Sequence, residues 1–213
     1  MSAPRPGARN GRGNRVTQAV AGRRAEKKIA NRTAILQAAR EIFAQEGFDG
    51  ATVRDIVRGS GLASGTFYNY FPDKESVLRE ILDETTGEIR ARVHVARSSA
   101  TTAEGFVCDG FRAYFEYLAG EATTLALMSR NAGVIRALFD EPAIGAGVAQ
   151  LRRDLDAGVK AGMLAPHDTA LMAAAMVGAG VEIVIHLAQS EFPDVDGAVG
   201  LLTAVFVPRL TPS

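Results

Sequence analysis

The stretch TVRDIVRGSGLASGTFYNYFPDK, residues 52–74, decides the fold, because it holds two short helices separated by a glycine turn and followed by a third helix start. Thr52 and Asp55 have the spacing of a capping box, in which a hydroxyl and a carboxylate close the first turn of a helix. The glycines on either side of Ser60 supply the backbone freedom of a sharp turn. Pro72 ends the second helix, because proline lacks an N–H and restricts the residue before it. The pattern predicts a helix-turn-helix.

The second helix of this stretch has a polar side whose chemistry suits DNA. Phe67 and Phe71 have the spacing of core residues, which leaves hydroxyl and amide side chains outside. Such groups are the donors and acceptors that contact base edges and phosphates. Asp73 is expected to cap the next helix, where the Lys74 ammonium and the first helical amides would together hold a phosphate. The alternative for Lys74 is an ordinary surface lysine.

Two consecutive stretches, ILQAAREIFAQEGFDGATVRDIV (residues 35–57) and SGLASGTFYNYFPDKESVL (residues 60–78), resemble the signature of the tetracycline-repressor (TetR) family. The ungapped match covers about a fifth of the chain. The resemblance implies an all-helical homodimer whose N-terminal domain binds a palindromic double-stranded DNA operator and whose variable C-terminal domain binds a small effector that releases the DNA. It places DNA contacts on Thr52, Arg54, Ser64, Gly65, Thr66, Tyr68, Asn69, Tyr70 and Lys74.

Ala63 departs from the family pattern, which usually has Ser or Thr at the start of this helix. Alanine has no side-chain acceptor, so the helix start loses a cap worth about 1 kcal/mol and a phosphate contact. Ser64, one residue later, is the candidate to take over either role. The register of the helix start is therefore left open.

The composition agrees with an intracellular globular protein of two parts that is large enough to bury a core: 213 residues, 47% of them hydrophobic, and no tryptophan. Cys108 is the single cysteine and has no partner for an internal disulfide, which fits a reducing compartment. Its neighbours Phe106 and Phe111 favour packing over reactivity. The first residues lack the long apolar run of a secretory signal. We expect a cytoplasmic protein.

The N-terminal segment is strongly basic. Residues 1–28 hold eight Lys and Arg against Glu26 alone, whereas the whole chain is neutral with 24 basic and 24 acidic residues. Gly, Pro and Asn interrupt the beginning of this segment, which predicts a disordered basic arm over residues 1–22. We expect the positive charge of the arm to attract DNA phosphates, and we expect an arginine of the arm to enter a minor groove. The alternative is a solubilising tail.

The pattern of apolar residues predicts helices along the rest of the chain. The predicted fold class is all-α, with an N-terminal three-helix helix-turn-helix head joined to a C-terminal helical ligand-binding and dimerisation domain. We divide the chain into the arm, a DNA-binding domain over residues 23–72 and an effector-binding and dimerisation domain over residues 73–213. The predicted helices outside the opening stretch span about 26–46, 73–95, 102–119, 122–130, 133–139, 142–162, 168–189 and 195–209.

The C-terminal domain is a candidate site for a small apolar effector. Its many aromatic and aliphatic residues are enough to line an apolar cavity, although a plain hydrophobic core has the same composition. The segments GVIRALFDEP (133–142), LRRDLDAGVKAGML (151–164) and AMVGAGVEI (175–183) are similar to C-terminal domains of TetR-family regulators that respond to fatty acids or their coenzyme A thioesters. That similarity implies a long apolar ligand whose acidic headgroup meets Arg112, Arg130 or Arg136. The candidate ligand-binding residues are Phe111, Arg112, Phe115, Met128, Arg130, Phe139, Glu182 and His186.

The apolar segment from Thr169 is about as long as a membrane span, but Glu182 and His186 argue against insertion, and no membrane partner is expected. Ala174 and Gly178 are small residues spaced four apart, which lets another helix approach closely. Together with the last predicted helix, this segment is expected to form a symmetric four-helix homodimer interface. The Glu182 and His186 side chains form either a polar pair at that interface or the polar end of the effector pocket.

An enzyme is not expected. The three histidines are scattered, Cys108 lacks a neighbouring base, and the sequence contains no Gly-rich phosphate loop or metal-ligand spacing, so we expect no cofactor and no metal. The sequence favours a ligand-responsive, DNA-binding transcriptional repressor. The alternatives are a helical protein-interaction module without DNA binding and a transcriptional activator of the same fold.

Overall fold

The computed structural model of the protein describes residues 11–137 and 142–212, with side chains from residue 22 onward except Arg136 and residues 142–144. All regular structure in these residues is helical, as predicted. The helices are α1 (Gly11–Gly50), α2 (Val53–Ser60), α3 (Ser64–Tyr68), α4 (Lys74–Ser99), α5 (Ala103–Ala119), α6 (Ala122–Arg130), α7 (Ala132–Ala137), α8 (Pro142–Lys160), α9 (Thr169–Leu187) and α10 (Val195–Leu210).

The beginning of α1 differs from the prediction. The helix starts at Gly11, whereas the sequence predicted disorder through residue 22. Residues 15–21 contain neither Gly nor Pro, so nothing in that segment breaks a helix. Side chains 22–30 are all exposed, which makes this part of α1 a solvent-facing extension. The prediction of disorder is therefore corrected for residues 11–22, while residues 1–10 lie outside the described residues.

The helix-turn-helix forms as its capping pattern predicts. At the start of α2 the Asp55 amide donates to the Thr52 hydroxyl at 3.2 Å, and the Thr52 amide donates to the Asp55 carboxylate at 3.2 Å. Hydrogen bonds donated to the Asp55 carboxylate by the hydroxyl and the amide of Thr52 hold the pKa of Asp55 below its ordinary value. Gly61 ends α2 with a φ of 67°, a left-handed conformation that favours glycine. The predicted capping box and glycine turn are confirmed.

Two hydrophobic clusters divide the protein into a head and a body. The head cluster is built from residues 35–82 and also contains Leu127 and Ile135, while the body cluster is built from residues 103–210. The first half of α4 belongs to the head, because Val77 and the leucine and isoleucine side chains after it are buried there. Packing thus continues the head into α4, beyond the boundary at residue 72 that the sequence suggested.

The body packs around α4 and α5. Helix α5 lies between α4 and α10, and α8 packs on both α4 and α9. Among the described helices α9 is long and apolar enough to cross a membrane, by length and composition only. One side of α9 is nevertheless buried in the body through Ala173, Met176 and Val184, as expected of a helix in a helical core.

A buried amide joins the body to the head. Gly47 adopts a φ of 77° and a ψ of 165°, which interrupts the hydrogen-bond pattern near the end of α1. The side chain of Asn131, only 2% exposed, fills this break. Its Oδ1 accepts from the Phe48 amide at 2.6 Å, and its Nδ2 donates to the carbonyls of Phe43 at 3.0 Å and Leu127 at 2.7 Å. One side chain thus satisfies backbone groups of both α1 and α6.

We predict that Asn131→Ala destabilises the protein by about 2–3 kcal/mol, because the Phe48 amide and the Phe43 carbonyl lose their buried partner. Chemical denaturation of the full chain, followed by circular dichroism, measures the loss. Asn69→Ala is the matched control, since the same change at an exposed position should stay within about 0.5 kcal/mol. Equal stability of the two variants would contradict the role of Asn131.

Candidate DNA-binding surface and effector cavity

Helix α3 turns a polar face to solvent. Its Phe67 side chain is completely buried in the head, and this anchor directs the opposite side of the short helix outward. Ser64, Tyr68 and Asn69 are exposed, and Tyr68 keeps 59% of its surface accessible while its ring packs edge-on against Phe67 at 5.3 Å. Exposed hydroxyl, phenol and amide groups on one helix suit hydrogen bonding to base edges and phosphates.

The other predicted DNA contacts differ in how much of each residue is exposed to solvent. Gly65 is exposed on α3, Thr66 is half-buried, and Tyr70 is half-buried against the head cluster. Thr52 and Arg54 are exposed at the start of α2, but the Thr52 hydroxyl already participates in the capping box. Eight of the nine predicted DNA contacts therefore lie at the start of α2, on α3 or in the turn after α3, while the ninth, Lys74, lies at the start of α4.

Helix α3 begins without a side-chain cap. Ala63 occupies the N-cap position with extended backbone, and its methyl group accepts no hydrogen bond. Ser64 is the first residue of the helix, so it does not take over the capping role. The open question of register is answered by the backbone, since the Thr66 and Phe67 amides donate to the Ala63 carbonyl. The Ser64 hydroxyl is exposed beside this helix start.

Lys74 points into the head, which corrects the predicted phosphate clamp. Its ammonium donates to the Phe48 carbonyl at 2.7 Å and the Ala51 carbonyl at 3.0 Å, and lies 4.3 Å from the centre of the Phe48 ring. Two of its three donors are thus used by the end of α1, where a cation also complements the helix dipole. The carboxylate of Asp73 caps α4 as predicted, accepting from the Ser76 amide at 2.7 Å.

The body contains an apolar cavity of about 140 Å³ between α4 and the helices packed on it. Ile89 and Val93 of α4 form one wall, and Met176 and Val184 of α9 form another. Further lining comes from α5, α6, α7 and α8. The cavity thus contacts the connecting helix α4 directly, and it also touches α6 and α7, which flank Asn131.

The predicted ligand-binding residues divide between this cavity and other places. Phe111 and Met128 line the cavity as expected. Phe115 is buried in the body cluster beside Phe111, with ring centres 5.9 Å apart, but does not line the cavity. Phe139 and the side chain of Arg136 lie outside the described residues.

The charged candidates lie elsewhere, which corrects their assignment to the pocket. Arg112 is on the surface, where it donates to Asp196 at 2.7 Å. The side chain of Arg130 runs beside Gly47, at the junction of head and body. Glu182 and His186 are exposed on the side of α9 that faces away from the body. Of the two alternatives for this pair, the polar end of the cavity is excluded by that geometry.

A different set of polar residues lies at the cavity. Gln150 donates to the Asp154 carboxylate at 2.8 Å, and His94 contacts the same oxygen at 2.9 Å. Arg97 of α4 is a further lining residue and is nine-tenths buried. Sequence reasoning missed these side chains. Arg90 and His94 are spaced four apart on one face of a predicted helix, but Arg97 lies beyond its predicted end at residue 95, whereas α4 continues to Ser99.

Comparison with known proteins supports the DNA-binding part most directly. Residues 35–81 match the family described as "Bacterial regulatory proteins, tetR family". Over 90 residues the chain is 37% identical to the HTH-type transcriptional repressor KstR2 of Rhodococcus jostii (strain RHA1), a match that covers 40% of this chain and 44% of that protein. The chain thus spans less than half the length of this curated relative.

Solved structures match over most of the chain. The fatty acid degradation regulator FadR from Bacillus halodurans has a TM-score of 0.72 at 22% identity, covering 83% of this chain and 94% of that one. FadR from Bacillus subtilis, solved in complex with stearoyl-CoA, has a TM-score of 0.70 at 23% identity, covering 81% and 97%. At these identities the similarity shows the fold, an N-terminal helix-turn-helix with a C-terminal helical domain.

We predict that Lys74→Met destabilises the head by about 1.5–3 kcal/mol, because the Phe48 and Ala51 carbonyls lose charge-assisted hydrogen bonds. Thermal and chemical unfolding in the absence of DNA measure the effect. Arg54→Met serves as the control, since it removes an exposed cation and should change stability by less than about 0.5 kcal/mol. A Lys74 variant as stable as the control would favour a purely DNA-facing lysine.

Proposed function

On the premise of the match of residues 35–81 to the tetR family of bacterial regulatory proteins, we propose that this chain is a transcriptional repressor that binds a palindromic operator as a homodimer. The observation that carries the proposal is the exposed polar face of α3, held outward by the buried Phe67. A dimer would present two such helices to successive major grooves about one helical turn apart. The relatives are named as transcriptional regulators, and no enzymatic activity is part of this proposal.

The basic extension supports the same proposal. Arg24, Lys27 and Lys28 are exposed on the part of α1 that projects beyond the head. A cationic helix next to a DNA-reading surface would neutralise phosphates and release counterions, so operator affinity should fall steeply as salt increases. Its contribution is independent of sequence, whereas α3 would supply the specificity.

The outer face of α9 and α10 supports the homodimer. The exposed positions on this face include Leu171 at 70% and Leu201 at 55% exposure, together with small residues such as Ala174 and Gly178. Large apolar side chains exposed on two adjacent helices are typical of an interface, and the small residues allow close helix approach. Glu182 and His186 lie on the same face, which favours the prediction of a polar pair at the interface over a role in the cavity.

The cavity supports a small apolar effector. One structural neighbour is described as a fatty acid degradation regulator and another was solved in complex with stearoyl-CoA, and we propose a fatty acid or its coenzyme A thioester as the ligand class here. A volume of about 140 Å³ is close to that of an engineered cavity that holds benzene. A long acyl chain would therefore bind only when the helices around the cavity move apart.

That requirement provides a mechanism for release from DNA. A ligand that fits an expanded body would shift the population toward that conformation by its difference in affinity for the two states. Helix α4 would transmit the change, because it lines the cavity with Ile89 and Val93 and packs into the head through Val77. The same coupling would make operator DNA weaken effector binding by an equal factor. A cytoplasmic location follows from DNA binding as part of the proposal.

Selection of binding sites from a random DNA pool tests the repressor directly. We predict that the purified chain enriches a palindrome and binds it with two protomers per site. Tyr68→Ala should weaken that binding about 10- to 100-fold, since it removes a large side chain of α3 that is 59% exposed. Fluorescence anisotropy with the selected DNA measures the affinity.

Phe192→Ala is the control for loss of an exposed aromatic residue, because Phe192 is 82% exposed between α9 and α10 and distant in sequence from α3. Its operator affinity should match the unmodified protein within about twofold. A random pool that yields no enriched sequence would refute DNA-specific repression and favour a protein-interaction module.

We predict that Leu201→Glu converts the dimer to monomers, because a charge on the α9 and α10 face would be buried in the dimer without a partner. Sedimentation velocity at micromolar concentration measures the state. Val95→Glu is the matched control, since Val95 is 63% exposed on α4 and should leave the dimer intact. Dimers of equal stability in both variants would exclude this face as the interface.

A further inference from the structure

Arg97 is a buried cation with unfilled hydrogen-bonding capacity at the cavity. The residue is 9% exposed and belongs to the cavity wall. Within the described residues its Nε finds no hydrogen-bond partner. Burial lowers the pKa of Arg97 to about 10, while the negative charge of Asp154 opposes that shift. The guanidinium thus remains charged at neutral pH in a largely apolar environment, which is costly unless an acceptor approaches it.

Asp154 does not satisfy this need. One of its oxygens accepts from Gln150 and contacts His94, and its other oxygen is buried without a hydrogen-bond partner in the described residues. Asp154 influences Arg97 through its charge and does not form a hydrogen-bonded ion pair with it. A buried charge normally has a close partner or coordinates an ion, so the guanidinium has capacity for another group.

The surroundings hold the guanidinium in place. A Cβ at Gly110 would lie 2.8 Å from Arg97 Nε, so the absence of a side chain at this position on α5 makes room for the arginine. The Arg97 guanidinium also lies 5.5 Å from the centre of the Phe106 ring, within the range of a cation–π contact. A long arginine side chain near the end of α4 would otherwise extend toward solvent. Gly110 and Phe106 of α5 thus allow the Arg97 side chain to point inward.

Two of the three arginines that the sequence suggested for a headgroup are engaged or placed elsewhere, and the side chain of Arg136 lies outside the described residues. Arg112 pairs with Asp196 on the surface, and Arg130 lies beside Gly47. Arg90 lines the cavity seven residues before Arg97, on the same face of α4, and has other interactions that include a contact with Thr86 at 3.4 Å. Among these cations, Arg97 combines deep burial, a position on the cavity and a buried Nε without a hydrogen-bond partner in the described residues.

We propose that Arg97 binds the free carboxylate of an apolar acid whose hydrocarbon chain occupies the cavity; this inference rests on the proposed role of the cavity as the effector site. A guanidinium forms two parallel, charge-assisted hydrogen bonds with a carboxylate, which is stronger than its interaction with a neutral group. The hydrocarbon lies against Ile89, Val93 and Met176. A coenzyme A thioester lacks the carboxylate, so the free acid is the preferred form.

Three ligands with the same hydrocarbon chain length test the end group: octanoate, 1-octanol and octylamine. Isothermal titration calorimetry with the full chain, in the absence of DNA, should give octanoate at least about tenfold higher affinity than 1-octanol. Octylamine should bind more weakly than the alcohol, because its ammonium would meet the Arg97 charge. Octanoyl coenzyme A should bind more weakly than octanoate.

Arg97→Met should abolish the preference for octanoate over 1-octanol while changing the affinity for 1-octanol less than about threefold. Arg97→Lys keeps the charge without the planar fork and should retain part of the preference. If the methionine variant loses its helical circular dichroism, the lysine variant decides the result. Arg112→Met is the control and should bind all three ligands as the unmodified protein does.

Equal affinity for octanoate and 1-octanol, no binding of either, or a preference that survives Arg97→Met would overturn the proposal. These outcomes are separable from failure of the repressor function, since the titrations use no DNA. Octanoate binding through Arg97 without an enriched operator would refute the repressor and leave the acid site standing. Enrichment of an operator without octanoate binding would support the repressor and refute the acid site.

Discussion

The structure depends on the hydrogen bonds of one buried amide, the side chain of Asn131. Near the end of α1 the backbone at Gly47 leaves the helical conformation, and the Asn131 side chain bonds to backbone groups on both sides of that break. The ammonium of Lys74 binds two carbonyls a few residues farther along. The junction between α1 and α2 is thus fixed from α6 and from α4 at once, so the position of the helix-turn-helix is set by the body as well as by the head.

The two attachments give the cavity a physical connection to the candidate DNA-binding surface. Met128 and Ala132 line the cavity on either side of Asn131 in sequence, and α4 continues from the cavity wall to Lys74. A change in the width of the cavity would act on both attachments together. The carboxylate site proposed at Arg97 lies near the C-terminal end of α4, whereas Lys74 lies at its N-terminal end. A small tilt of α4 caused by the effector at Arg97 would therefore produce a larger displacement at the head.

The sequence predicted the elements better than the attachments between them. Capping at Thr52 and Asp73, the glycine turn and most helix ends depend on neighbours in sequence, and the structure has them as expected. The directions of Lys74 and Arg97 depend on contacts with other helices: the Phe48 carbonyl lies 26 residues from Lys74, and Gly110 makes room for Arg97 from α5. The sequence signals helical spacing, but not which neighbour receives a long side chain.

The sharing of α4 and α6 between the two hydrophobic clusters limits how the protein can be cut and recombined. A fragment that stops at residue 72 would leave behind Val77, Leu78 and Leu127, all buried in the head cluster, and would uncover their apolar partners. We therefore expect that the helix-turn-helix does not fold independently of the rest of the chain. A chimera that joins it to another helical body must include the first half of α4. The new body must also supply an amide side chain at the position equivalent to Asn131.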